Sequence, residues 1–162
     1  MRRYTLDTLA RLKAFAHVRK RRETLVLHGD AREVQLPGEY HSVVTSPPYP
    51  GLIDYHEQHR YAYELLGLDD LRDCEIGAAE RGTSRPALAS YCEGIVGVLA
   101  TCRDALRPGG SVVIVVNDRR GLYPEILANA GLRLEQRYQR HVNRRTGRRA
   151  GEYYEDVLVA RV

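Results

Sequence analysis

Between Ser46 and Gly51 the chain reads Ser-Pro-Pro-Tyr-Pro-Gly, and three prolines packed this closely decide what the backbone can do there. Each proline removes an amide donor and restricts the residue before it to extended conformations. Neither a helix nor a strand can run through. The preceding residues, His41 to Thr45, form a β-prone run, so the sequence predicts a buried strand that ends in a rigid loop.

The rest of the chain supplies elements around that loop. Leu6, Leu9, Leu12 and Phe15 recur at helical spacing behind Thr5, which reads as an N-cap, and predict an amphipathic helix from Thr5 to about Arg19 with a basic end at Arg19 to Arg22. Thr24 to His28 is a second β-prone run, closed by Gly29 and Asp30, and with 41–45 it predicts two buried parallel strands. Asp54 followed by Glu57 resembles a capping box, and Gly67 offers an end, giving one helix from about Tyr55 to Leu66. No pattern is readable over 68–83. Ser84 and Pro86 open a long helix whose apolar face carries Leu88, Tyr91, Cys92, Ile95, Val98, Leu99, Cys102 and Leu106, and Pro108, Gly109 and Gly110 stop it. Ser111 to Val116 reads as a strand, Leu122 to Ala130 as a helix ended by Gly131, and Leu132 to His141 with Tyr153 to Val162 as a closing hairpin. Alternating strands and helices with a final hairpin predict an α/β fold with a mostly parallel sheet and an antiparallel C-terminal hairpin.

A length of 162 residues, with 43% hydrophobic and 28% charged positions, fits one soluble domain. No apolar run nears the roughly 18 residues a spanning helix needs, and the start lacks a signal-peptide core, so a cytoplasmic protein is expected. Cys74, Cys92 and Cys102 are too scattered for a disulfide framework or a zinc site and read as buried small hydrophobes.

Thr45-Ser46-Pro47-Pro48-Tyr49 at the end of a predicted strand, the following Pro-Gly-Leu-Ile-Asp-Tyr-His segment, and the Leu106-Arg107-Pro108-Gly109-Gly110 turn into a strand together resemble the N4-cytosine/N6-adenine DNA amino-methyltransferase family, whose loop is [DNS]-P-P-[YFW]. The resemblance covers about Leu25 to Val162 and implies the Rossmann-like, S-adenosylmethionine-dependent methyltransferase fold. Residues 1–22 then form a basic amphipathic helix, and 23–162 the C-terminal portion of the family fold. The chemistry has a physical reason. An exocyclic base amine is a poor nucleophile because its lone pair is delocalised into the ring. A serine hydroxyl and the carbonyl of the first proline can accept hydrogen bonds from that amine and favour a tetrahedral nitrogen. The aromatic ring offers a stacking surface for a base swung out of the duplex. By resemblance, Ser46, Pro47, Pro48 and Tyr49 are the catalytic loop. Asp30 in the Gly-Asp-Ala turn, with Ala31, Thr45 and Ser46, contacts the cofactor S-adenosylmethionine. Serine in the first position tilts the target towards cytosine N4 over adenine N6, with DNA the expected substrate and RNA another that a Pro-Pro-aromatic loop can serve.

One family feature is missing. No glycine-rich FxGxG pattern precedes Thr24, and Gly94 and Gly97 lie inside the long helix, so the fold is expected to be incomplete. Three explanations stand: a second polypeptide carrying the glycine-rich loop, a pocket completed by self-association, or a degenerate fragment. The first and last are favoured. A function of a different class, a non-catalytic nucleic-acid-binding subunit, stays open beside a site-specific methyltransferase of the restriction-modification kind.

The net charge is only +4, but Arg137, Arg140, Arg144, Arg145, Arg148 and Arg149 crowd the last hairpin, where they suit contact with a phosphate backbone. Asp54, Tyr55, His56 and Arg60, just beyond the loop, are expected to face the target nucleotide. His56 and His59 share a helical face, but no third ligand is evident and no metal is expected. Tyr61 and Tyr63 read as core packing. Asn117 and Asp118, at the end of the 112–116 strand, either touch cofactor or base or cap the next helix.

Overall fold

The computed structural model describes residues 2–20, 23–142 and 154–162. Its first element, α1 (Arg2–Val18), is an amphipathic helix whose apolar residues Leu6, Leu9, Leu12 and Phe15 are all exposed. It begins at Arg2, so Thr5 lies within it and is not its cap. Further along the chain come β1 (Tyr40–Thr45), α2 (Tyr55–Gln58), α3 (Arg60–Leu66), two 3-10 turns, α4 (Arg85–Asp104), β2 (Leu106–Val116), α5 (Tyr123–Asn129), β3 (Arg133–His141) and β4 (Tyr154–Arg161).

The strands form one mixed sheet in the order β1-β2-β4-β3. β1 runs parallel to β2, with Thr45 opposite Ile114. β4 lies antiparallel between β2 and β3, with Val116 opposite Asp156, as the hairpin reading expected. The mixed α/β class therefore holds, but one parallel pairing stands against two antiparallel ones. The expectation of a mostly parallel sheet counted on residues 24–28 as a strand. That stretch forms no ladder, and Leu25 and Val26 are exposed. β propensity measures fit to a pleated surface, and nothing on the far side of β1 offers one among the described residues.

α4 and α5 cover one face of the sheet. Val112, Ile114 and Val116 of β2 and Leu158 and Ala160 of β4 point into that face, where they meet Tyr91, Ile95 and Leu99 of α4 and Tyr123, Ile126 and Leu127 of α5. Each aliphatic side chain fully buried this way contributes about 1.5–3 kcal/mol over exposure. The alternation along β2 shows period-two packing beneath a sequence that reads as a continuous apolar run. Ser84 caps α4 as predicted, accepting from the Ala87 amide at 3.4 Å. Leu106, expected on the helix, instead opens β2. Between Tyr40 and Ser42 of β1 the partner advances from Leu106 to Ser111, so the Arg-Pro-Gly-Gly segment is accommodated as an irregularity within the ladder.

The expected helix over 55–66 is broken in two. His59 has φ −105° and ψ 13°, and it serves as C-cap of α2 and N-cap of α3. Asp54 caps α2, accepting from the Glu57 amide at 2.8 Å, and Gly67 ends α3 in the left-handed region. Tyr61, Leu65 and Leu66 face solvent, which corrects the core-packing expectation, while Tyr63 stacks on His56 with ring centroids 3.9 Å apart. Cys74 is exposed and not buried. Cys92 and Cys102 are half-buried, and burial pushes both thiols up. Among the described residues no helix is long and apolar enough to cross a membrane.

Candidate functional site

Because β1 and β2 are parallel and β4 returns beside β2, one edge of the sheet gathers the ends of β1, β2 and β3 with the start of β4. The proline loop leaves β1 at this edge. Open α/β sheets place ligands beyond the carboxyl ends of their strands.

The loop is held at three points. The Pro48 carbonyl accepts from the Tyr91 hydroxyl of α4 at 3.0 Å. The Tyr49 hydroxyl donates to Glu155 of β4 at 3.2 Å, and the half-buried ring packs against the core. The Gly51 amide donates to the Gly77 carbonyl at 3.0 Å. Both of those glycines are required. Gly51 has φ +67°, and a Cβ there would meet the Gly82 carbonyl oxygen at 2.9 Å; Gly77 has φ +74°, and a Cβ would meet the Tyr91 ring at 2.8 Å. Within this frame Ser46 stays exposed, and Thr45, Pro47 and Pro48 are half-buried.

Behind the loop, Tyr91 and Tyr123 are each 2% exposed and share a hydrogen bond of 2.8 Å. Burial pushes the Tyr91 phenol up to about 12 and the Tyr123 phenol higher still, so both remain neutral in the working range. Neither contact was anticipated. The apolar spacing on α4 places Tyr91 on a core face, and only the fold reveals that its phenol reaches the loop.

Where β2 ends and β4 begins lies an open basin of about 420 Å³ lined by Asn117, Asp118, Arg119, Arg137, Gln139, Tyr154 and Asp156. Asp118 takes the capping alternative: its carboxylate accepts from the amides of Leu122 at 2.8 Å and Tyr123 at 3.2 Å. Asn117 donates to the Tyr154 carbonyl. Arg137 grips the buried Asp156 carboxylate through two bonds of 2.9 and 3.0 Å, so it anchors β3 to β4. That pairing raises its pKa further. Arg140 pairs with Glu155, the residue that holds Tyr49. Each of these two arginines is thus paired with a carboxylate of β4 and keeps an exposed part, 40% for Arg137 and 63% for Arg140. Arg144, Arg145, Arg148 and Arg149 lie outside the described residues, as do Arg21 and Arg22 of the other basic run.

The remaining expected site residues are distributed unevenly. Asp30 opens an exposed turn that includes Ala31, and Arg32 occupies both of its carboxylate oxygens through its amide and guanidinium. Those bonds hold the Asp30 carboxyl down at about 2. Arg32 thus brings three N–H groups to a carboxylate with about four acceptor positions, and the Asp30 side chain stays 35% exposed. Asp54 is committed to its cap. Tyr55 is exposed. His56 is buried, with Nε2 3.1 Å from Asp70. Arg60 is exposed and spans Glu57 at 3.3 Å and Glu64 at 3.4 Å.

No family model matches the chain. It is 38% identical over 170 aligned residues, 96% of its length, to the Type II methyltransferase M.MjaII of Methanocaldococcus jannaschii, and spans 32% of that relative's length. Among solved structures it is similar to the DNA modification methylase TTHA0409 of Thermus thermophilus complexed with S-adenosyl-L-methionine, at 25% identity and a TM-score of 0.48, covering 82% of this chain and 53% of that one. It is also similar to TrmN of Thermus thermophilus, at 19% identity and a TM-score of 0.39, covering 83% and 27% of the two chains.

Proposed function

The chain belongs to the amino-methyltransferase family, spanning about a third of the length of the relative it matches, and from that premise we propose that it takes part in methyl transfer from S-adenosylmethionine to the exocyclic amine of a DNA base. Cytosine N4 is favoured over adenine N6 on the serine at position 46. The observation that carries the reading is the proline loop, fixed at the carboxyl edge of β1 from both sides with its serine left exposed.

In this reading Ser46 Oγ and the Pro47 carbonyl accept the two amine hydrogens. The nitrogen lone pair is thereby drawn out of conjugation and turned towards the methyl donor. The Tyr49 ring, tied to Glu155, gives the flipped base a fixed stacking surface. Neither acceptor is a strong base, so the proton shed by the methylated nitrogen passes to water. Tyr55 and Arg60 remain candidates for nucleotide contact, and the hairpin arginines for the backbone. Residues 23–162 are the methyltransferase portion in this scheme and 1–22 a separate helical segment, in a cytoplasmic protein.

The residues present fit the amine-accepting half of the reaction. In this reading Thr45 and Ser46 would contact the methyl donor, and Asp30, paired with Arg32 yet 35% exposed, would accept from its adenine; no step is assigned to them. The outer edge of β1, uncovered among the described residues, with the lack of a glycine-rich pattern before Thr24, supports a pocket completed by another polypeptide or a second copy. That lack is also what favours the second reading, a nucleic-acid-binding subunit without turnover. The experiment that separates them is Ser46→Ala in a methyl-transfer assay with the completing partner present. A loss of about a hundredfold in rate with unchanged nucleic-acid affinity is expected. Equal rates in both proteins remove Ser46 from the chemistry, and a wild-type chain that binds nucleic acid but never transfers a methyl group returns the second reading.

A further inference from the structure

The hydrogen bonds behind the proline loop have a forced direction. A carbonyl has no proton, so in the 3.0 Å contact Tyr91 must donate to Pro48. A phenol has one proton, so in the 2.8 Å contact the oxygen of Tyr91 must accept from Tyr123. The order is therefore Tyr123 to Tyr91 to Pro48. Both phenols are 2% exposed, which leaves no solvent to substitute for a missing member. Tyr91 is also bracketed in place: the Gly77 backbone lies against its ring, and the Gly77 carbonyl accepts from Gly51 at the far end of the loop. Asp118, which accepts from the Tyr123 amide, fixes the first turn of α5 that carries the donor.

From this geometry we infer that Tyr91 and Tyr123 are positioning residues for the catalytic loop, a directed phenol pair that ties down the carbonyl of the second proline and so leaves the first proline's carbonyl, with Ser46, as the acceptor pair for the amine. The inference rests on the methyltransferase reading for its kinetic consequence, but the clamp itself is independent of it. A chain of hydrogen bonds in a dry interior polarises along its length, so Tyr123 strengthens the bond that Tyr91 makes to Pro48. Tyr123 acts on the loop only through Tyr91.

That dependence sets the test. Tyr91→Phe keeps the ring against Gly77 and deletes only the hydroxyl. Under single-turnover methyl transfer with the completing partner present, it is expected to lower the rate about tenfold at unchanged nucleic-acid affinity, because misplaced acceptors slow chemistry and not binding. Tyr123→Phe is expected to lose about two- to threefold, and the double variant to match Tyr91→Phe alone. Tyr61→Phe, an exposed tyrosine away from the loop, is the control and keeps the wild-type rate. Additive losses in the double variant, or a change in affinity alone, overturn the relay. Amide hydrogen exchange supplies the readout that needs no turnover. The Gly51 and Leu52 amides, bonded to Gly77 and Tyr49, should exchange about tenfold faster in Tyr91→Phe, with the β2 amides unchanged. Unchanged loop exchange overturns the clamp. If the wild-type protein transfers no methyl group, the methyltransferase reading fails, and loop exchange still decides whether Tyr91 holds the loop.

Discussion

Burial of the two phenols has a consequence for stability as well as for the loop. Tyr91 ionises near 10 in an unfolded chain and is pushed up to about 12 in the folded one, chiefly by desolvation. A group whose folded pKa is raised contributes stability that is intact below the unfolded value and lost as pH climbs towards the folded one. Folding should therefore weaken between about pH 10 and pH 12, by an amount on the order of 3 kcal/mol from Tyr91, since each pKa unit corresponds to about 1.4 kcal/mol. The buried Tyr123 shifts in the same direction. Urea unfolding of wild type and of Tyr91→Phe at about pH 9 and about pH 11.5 measures the effect: the wild type should lose more stability across that interval than the variant does. Parallel losses in the two proteins would mean that Tyr91 ionises freely while folded.

Short elements lean on single side chains, and α5 is the clearest case. Its seven residues cannot sustain a helix alone, and Asp118 satisfies two of its first amides. Asp118→Ala should cost about 1–2 kcal/mol, seen as a lower denaturant midpoint at an unchanged slope, whereas Asp118→Asn should recover roughly half by keeping one acceptor. An unaltered midpoint in Asp118→Ala would show that packing of Ile126 and Leu127 alone fixes the helix. This cap also marks what could be read from the residues in advance. The proline loop, the α4 cap at Ser84 and the C-terminal hairpin were legible because their signals are local: ring geometry, a side chain three residues from its amide, and paired β-prone runs. Four features were not legible. Residues 24–28 have the composition of a strand, but a strand exists only where a neighbour supplies the ladder. His59 breaks a helix that the spacing of apolar residues on either side would continue. The tie from Tyr91 to Pro48 joins positions 43 residues apart, and the grip of Arg137 on Asp156 joins strands whose register no periodicity fixes. At the candidate site, sequence alone placed the loop and Asn117-Asp118 at the strand ends, while the partners that immobilise them came from tertiary structure.

Stability is unevenly distributed along the chain. The sheet, α4 and α5 share one core, and their side chains include every buried hydrophobic residue except Ala78, Ala130 and Leu132, which sit in the connections around them. In contrast, residues 4–20 and 23–30 are exposed throughout, and among the described residues the apolar stripe of α1 contacts nothing that buries it. A helix of 17 residues without tertiary support is marginal in water, because nucleation is costly and each added residue contributes little. The chain should then open in two tiers. Native-state hydrogen exchange on the isolated protein is expected to show α1 amides exchanging within about tenfold of an unstructured peptide, and amides of β2, β4 and the middle of α4 protected up to the global unfolding free energy. Removing residues 1–20 should accordingly change the unfolding free energy by less than about 1 kcal/mol. If α1 were instead protected as strongly as β2, its apolar stripe would have to be buried against a further surface. Adding a partner that completes the outer edge of β1 gives the same measurement a second use: protection that appears in α1 or 24–28 only on mixing identifies those segments as part of the completed fold, and protection confined to the sheet shows that they stand apart from it.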